Sequence, residues 1–196
     1  MKTLESVKSI VAESIRVKEA FLQDGQAMET LAQVADLLAD AYLHGHKSLW
    51  AGNGGSAADA QHMAAELVNK FYLDRAGLPA IALTVDTSVM TAIGNDYGYD
   101  RLFARQIEAQ GQEGDVFVGI STSGKSANLV AAAEACRAKG IKSVALVGAN
   151  PCPMDAYDYV IHIPSAETPR IQECQTLCGH ILCFMVEQRL FGTKSY

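Results

Sequence analysis

The chain has 196 residues, 49% of them apolar, enough to bury a substantial core without disulfides or a structural metal. Its net charge of −6 argues against nucleic acid as a primary partner, because binding a phosphate backbone needs a basic face. No apolar run reaches the roughly 20 residues that span a bilayer, residues 1–5 open no signal-peptide core, and the five cysteines are odd in number with no C-x-x-C pair, so reduced thiols in a cytoplasmic protein are expected.

Residues 4–22 set Leu4, Val7, Ile10, Val11, Ile15, Val17 and Phe21 among charges, and residues 27–44 repeat the pattern with Met28, Leu31, Val34, Leu37, Leu38 and Tyr42. Both read as amphipathic helices. They precede the first strand and have no crossover duty, so they either cover the sheet or meet another subunit. We expect one domain over 1–196, with 1–45 as a helical oligomerisation segment. Short apolar runs over 48–51, 80–85, 116–120, 143–147 and 159–163 then read as buried strands. Helical stretches over 56–71, 87–94, 100–110 and 127–139 lie between most of them, and a long helix over 168–190 closes the chain. Strands alternating with helices predict an α/β fold of three layers around a central parallel sheet, with ligands at the C-terminal strand ends.

Two loops fall at those ends. Ala51-Gly52-Asn53-Gly54-Gly55-Ser56 and Ser121-Thr122-Ser123-Gly124-Lys125-Ser126 each close a strand and open a helix. Small residues let backbone N–H groups approach a ligand, hydroxyls add donors, and the positive end of the following helix favours an anion. A phosphorylated small molecule is the expected ligand. Nucleotide readings fit less well. Gly52 to Ala57 matches G-x-G-x-x-A, but Asp74, at the spacing of a ribose-binding acid, sits in the polar stretch Tyr72-Leu73-Asp74-Arg75 and not at a strand end. Gly119 to Ser126 matches G-x-x-x-x-G-K-[ST], yet Gly119 lies inside an apolar run, which leaves a loop shorter than a P-loop.

His62 and Glu66 follow the first loop at i, i+4, on one helical face, where an imidazole and a carboxylate can share a metal or a proton. Cys174 and Cys178 have the same spacing, but Leu177, Ile181, Leu182 and Met185 surround them and packing is the simpler reading. Asp86 either orients a ligand or caps the helix after it. Lys125 either adds charge to the phosphate site or extends into solvent. His44, His46 and His162 read as structural or solvated.

With Ala51 to Glu66 (AGNGGSAADAQHMAAE), Leu83 to Asp100 (LTVDTSVMTAIGNDYGYD), Gly114 to Ser126 (GDVFVGISTSGKS) and Pro164 to His180 (PSAETPRIQECQTLCGH), the sequence resembles the sugar-isomerase (SIS) domain family, within it the phosphoheptose isomerases. The resemblance implies a flavodoxin-like sheet and aldose–ketose isomerisation of sedoheptulose 7-phosphate to D-glycero-D-manno-heptose 7-phosphate through an enediol, the first step towards surface heptoses. It implies that Ser121, Thr122, Ser123 and Ser126 hold the phosphate, that Asn53, Gly54, Gly55, Ser56, His62, Glu66, Asn95, Asp96 and Gln172 contact the sugar, and that Glu66 and His180 form the acid/base pair. It also implies one zinc per subunit on His62, Glu66, Gln172 and His180, and a homotetramer. Other readings are a non-catalytic SIS adaptor of the kind that assists the bacterial replication initiator, which lacks the helix carboxylate and late histidine present here, or an isomerase of another sugar phosphate. Gln175, Pro169 and Asn150-Pro151-Cys152-Pro153 depart from the family pattern.

Eight residues of helix rise about 12 Å, so one copy brings Gln172 and His180 to a single metal only at a stretch. Either that segment is not a continuous helix, or the site is completed by another subunit; we expect the latter.

Overall fold

The computed structural model describes residues 2–192; Met1 and 193–196, the ends of the expected domain, lie outside the described residues. The two leading helices are α1 (Lys2–Gln23) and α2 (Gly25–Leu43), and α2 is started by the Asp24 carboxylate, which accepts the Ala27 N–H. Strands and helices then alternate: β1 (Ser48–Gly52), α3 (Gly55–Val68), β2 (Ala80–Ala82), α4 (Thr87–Asp96), α5 (Leu102–Gln110), β3 (Val116–Ile120), α6 (Ala127–Ala138), β4 (Lys142–Val147), β5 (Tyr159–His162) and α7 (Thr168–Phe191).

All strand pairs are parallel, in the order β2-β1-β3-β4-β5. That is the flavodoxin-like order, and it reverses between β1 and β3. Ligands in such sheets bind in the crevice at that switch point. The two small-residue loops leave β1 and β3, so the topology sets them side by side.

Alternation along the strands divides the core between the faces. Trp50, Val116, Val118, Ile120, Val144 and Leu146 point to the layer of α2, α3 and α7. Leu49, Ala51, Phe117, Ala145 and Val147 point to that of α4, α5 and α6. The three-layer α/β architecture is as the sequence predicts. Trp50 is wholly buried because its indole N–H has a partner, Ser48 Oγ at 2.7 Å, which also bonds Tyr42 Oη at 2.6 Å.

Two boundaries differ from those expected. The strand read over 80–85 ends at Ala82: Leu83 N–H still reaches Trp50 O at 2.9 Å, but the Thr84 hydroxyl then turns to Gln61 and Asp86 caps α4 through the Val89 N–H. Capping is thus a role Asp86 fills. The helix read over 56–71 ends at Val68, because Arg75 folds back onto its last turn and donates to the carbonyls of Leu67 and Glu66 at 2.7 and 3.0 Å. Glu187 of α7 takes the N–H groups of Phe71, Tyr72 and Leu73 and the Nε–H of Arg75, so residues beyond the helix satisfy their donors on another element. Cys174 and Cys178 are fully buried, in accord with packing.

Candidate active site

The loop after β3 runs from Ser121 to Ser126. Gly119 lies within β3, paired with Ala51 and Ala145, which rules out the longer P-loop turn. Ser121 is buried, its hydroxyl accepting the Gly124 N–H at 3.1 Å and lying 3.3 Å from Ser126 Oγ, while Ser123 Oγ accepts the Lys125 N–H at 3.2 Å. Ser126 is the N-cap of α6 but makes no side-chain capping bond, so its hydroxyl and the first N–H groups of α6 remain available to an anion. Gln175 tethers the loop's first residue: its Nε2 donates to the carbonyls of Leu146 and Ser121 at 2.8 and 3.3 Å. Pro169 stands in the first turn of α7, where its missing N–H costs nothing.

At the β1 loop, Gly54 takes a φ of +57°, which admits glycine with least strain, and the chain enters α3 immediately after it. Asn53 is held by a reciprocal amide pair with Asn128, both bonds 3.0 Å, and its Oδ1 also accepts Tyr99 O–H at 2.9 Å. Asn128 and Tyr99 were not singled out from the sequence. Asn95 and Asp96, bonded to each other at 2.7 Å, are exposed at the end of α4, four and three residues upstream of Tyr99. Ser56 is buried beneath Gly52.

α3 and α7 lie side by side in parallel register. The Gln172 amide nitrogen sits 2.7 Å from where a Cβ on Gly55 would be, and Thr176 Oγ1 donates to Asp59 Oδ1 at 3.0 Å. One turn further, His180 Nε2 is 3.5 Å from His62 Nε2, which is 3.1 Å from Glu66 Oε1. Ligand atoms of His62, Glu66 and His180 all fall within 4.8 Å of one another. The phenyl ring of Phe71 lies 5.5 Å from the His180 imidazole. Burial and the neighbouring His62 hold the His180 pKa below the usual histidine value, against the opposite pull of Glu66 and Asp59. A neutral imidazole is the form that accepts a proton or binds a metal.

Two nitrogens and a carboxylate oxygen form a donor set suited to zinc, and three protein ligands leave a coordination position open. Gln172, the fourth residue the resemblance assigns to the metal, approaches α3 nearer its start. α7 is unbroken from Thr168 to Phe191, which removes the interrupted-helix alternative, and Gln172 lies two turns before His180, against Gly55. Within one chain His180 meets His62 and Glu66; completion of the site by another subunit concerns contacts beyond the single chain.

A family model described as the SIS domain matches residues 11–148. The chain is 54% identical to the phosphoheptose isomerase of Aneurinibacillus thermoaerophilus over 189 residues, covering 96% of each. It is also 54% identical to phosphoheptose isomerase 2 of Campylobacter jejuni, over 98% of this chain and 96% of that one. The solved phosphoheptose isomerase of Francisella tularensis superposes with a TM-score of 0.91 at 35% identity, covering 96% of this chain and 100% of that chain. The one from Neisseria gonorrhoeae gives 0.88 at 41%, covering 95% and 99%.

Proposed function

The chain belongs to the SIS-domain family and, within it, to the phosphoheptose isomerases, and on that footing we propose that it converts sedoheptulose 7-phosphate to D-glycero-D-manno-heptose 7-phosphate through an enediol. The observation that carries this reading is the meeting of Glu66 and His180 in one chain, at the far end of a helix that starts beside the phosphate loop. From Gly55 to His62 the axis of α3 rises about 10 Å. A substrate anchored by its phosphate at one end and reacted at the other suits such a span.

Moving a hydrogen between adjacent carbons needs a base for the C–H proton and a donor for the carbonyl oxygen. In this scheme Glu66 removes the carbon-bound proton and returns it to the neighbouring carbon, while His180 moves the oxygen-bound proton. Ser121, Thr122, Ser123 and Ser126 bind the phosphate. Asn53, oriented by Asn128 and Tyr99, lines the sugar with Gly54, Gly55, Asn95 and Asp96, and Gln172 reaches the same end from α7. Ser56 contributes through its backbone. Zinc on His62, Glu66 and His180 would polarise the carbonyl and stabilise negative charge on its oxygen.

We place the enzyme in the cytoplasm as a single domain, at the first step towards ADP-heptose and surface heptoses. No helix among the described residues is long and apolar enough to cross a membrane. A homotetramer is supported by the outer face of α1, where Leu4, Val7, Ile10, Val11 and Ile15 are each more than half exposed.

The test is turnover of sedoheptulose 7-phosphate, and of shorter ketose phosphates, by the purified protein with and without a chelator. Glu66→Gln is expected to lower kcat by at least about 100-fold while inorganic phosphate still binds. Near-normal turnover of that variant would overturn the assignment of the base.

A further inference from the structure

Between β4 and β5 the chain makes a short 3-10 helix, Pro153–Ala156, on the flank of the phosphate loop away from the His–Glu cluster. Its polar groups converge on one carboxylate. Asp155 Oδ2 accepts the Cys152 N–H at 2.9 Å, and Oδ1 accepts the Cys152 S–H at 3.2 Å. His162 Nε2 lies 3.2 Å from the same Oδ1, and its Nδ1 is 2.8 Å from the Gly148 carbonyl oxygen.

Both branches from Asp155 end on the phosphate loop. One runs through Cys152: its sulfur packs against Gly124, which has a φ of +62° and where any Cβ would overlap that sulfur. Met154, inside the same turn, donates its N–H to Gly124 O at 3.3 Å. The other runs through His162 to Gly148, whose N–H donates to Thr122 O at 3.1 Å. Thr122 and Gly124 flank Ser123, so one carboxylate braces the loop on either side of a hydroxyl assigned to the phosphate.

We propose that Asp155, acting through Cys152 and His162, is a positioning residue that holds the phosphate loop in its binding geometry; this rests on the assignment of residues 121–126 to the substrate phosphate. The arrangement is a brace and not a nucleophile. Burial and the hydrogen bond to Asp155 push the Cys152 thiol above its usual range, keeping the sulfur a protonated donor. Asp155 stays ionised, its pKa lowered by the Cys152 N–H ahead of the thiol and His162, against the pull of partial burial.

The proposal is tested by steady-state kinetics on the full chain, with sedoheptulose 7-phosphate as substrate and inorganic phosphate as competitive inhibitor. Asp155→Ala is expected to raise KM and the inhibition constant for phosphate together, by about fivefold or more, with kcat within twofold. Cys152→Ser, which keeps a donor to Asp155 and the space over Gly124, is expected to restrict the change to less than twofold. If Asp155→Ala does not fold, Cys152→Ala is read by the same criteria. A fall in kcat at constant KM, or no change in either constant while Ser126→Ala raises both, would overturn the proposal and leave the phosphate-loop assignment standing. If Ser126→Ala also leaves both constants unchanged, the loop assignment falls and this inference with it.

Discussion

Asn53 illustrates what fixes the orientation of a side-chain amide. Its amide could present either end, but Asn128 takes one hydrogen of Nδ2 and gives one to Oδ1, and Tyr99 gives Oδ1 a second. That fixes the orientation and leaves one Nδ2 hydrogen free to donate, in the proposed scheme to a hydroxyl of the sugar. Asn128→Ala is therefore expected to raise KM several-fold with little change in kcat, and to cost about 1 kcal/mol of stability, read by kinetics and thermal unfolding. His62 and Glu66 were legible in the sequence because a helix fixes the geometry of an i, i+4 pair. Asn128 and Tyr99 were not: they meet Asn53 across 75 and 46 positions through loop approach, which has no period to read. The neutral bias on His180 has the same origin, since its burial depends on packing between two helices.

Among the elements, α3 depends on a lock that its own sequence does not contain. Arg75 and Glu187 are almost fully buried and join at 3.0 Å, and between them they satisfy the last carbonyls of α3 and three N–H groups of the following loop. Glu187→Ala strands the guanidinium, and a loss of about 3–5 kcal/mol is expected in denaturant unfolding. Burial alone would raise the Glu187 pKa, but the three N–H groups and Arg75 outweigh it and hold the carboxyl below its ordinary value of 4.5. A depressed folded-state pKa contributes stability above the unfolded value and loses it as pH falls through the folded one. The melting temperature of the wild type is thus expected to drop more steeply below about pH 4.5 than that of Glu187→Gln. Among the described residues, periodicity revealed all seven α-helices and five strands. It placed the end of α3 three residues too far, because Arg75, which caps the last turn, is itself held by Glu187 112 positions away, and it extended β2 into a turn governed by Thr84 and Asp86.

For the whole molecule, the strand order decides where chemistry can occur: the phosphate loop and the Asn53 loop are neighbours because β1 and β3 are. That much followed from alternating strands and helices. The side-by-side course of α3 and α7 did not, and it brings His180 to Glu66 within one chain. Mixing Glu66→Gln with His180→Ala under verified subunit exchange is accordingly expected to restore no activity, since no chain in the mixture carries both groups. Replacing Val7 and Val11 of α1 by Glu is expected to reduce the proposed tetramer to smaller species in velocity sedimentation, with the circular dichroism of a folded chain retained. The pairing of Gly55 with Gln172, Asp59 with Thr176 and His62 with His180 also behaves as a ruler. One residue inserted between Gln172 and His180 turns everything beyond it by about 100° and carries the imidazole off the facing helix. Insertions in the exposed connections between strands and helices shift no such scale. An insertion in a loop is therefore expected to be tolerated, whereas one within the eight-step interval on α7 is expected to part His180 from His62.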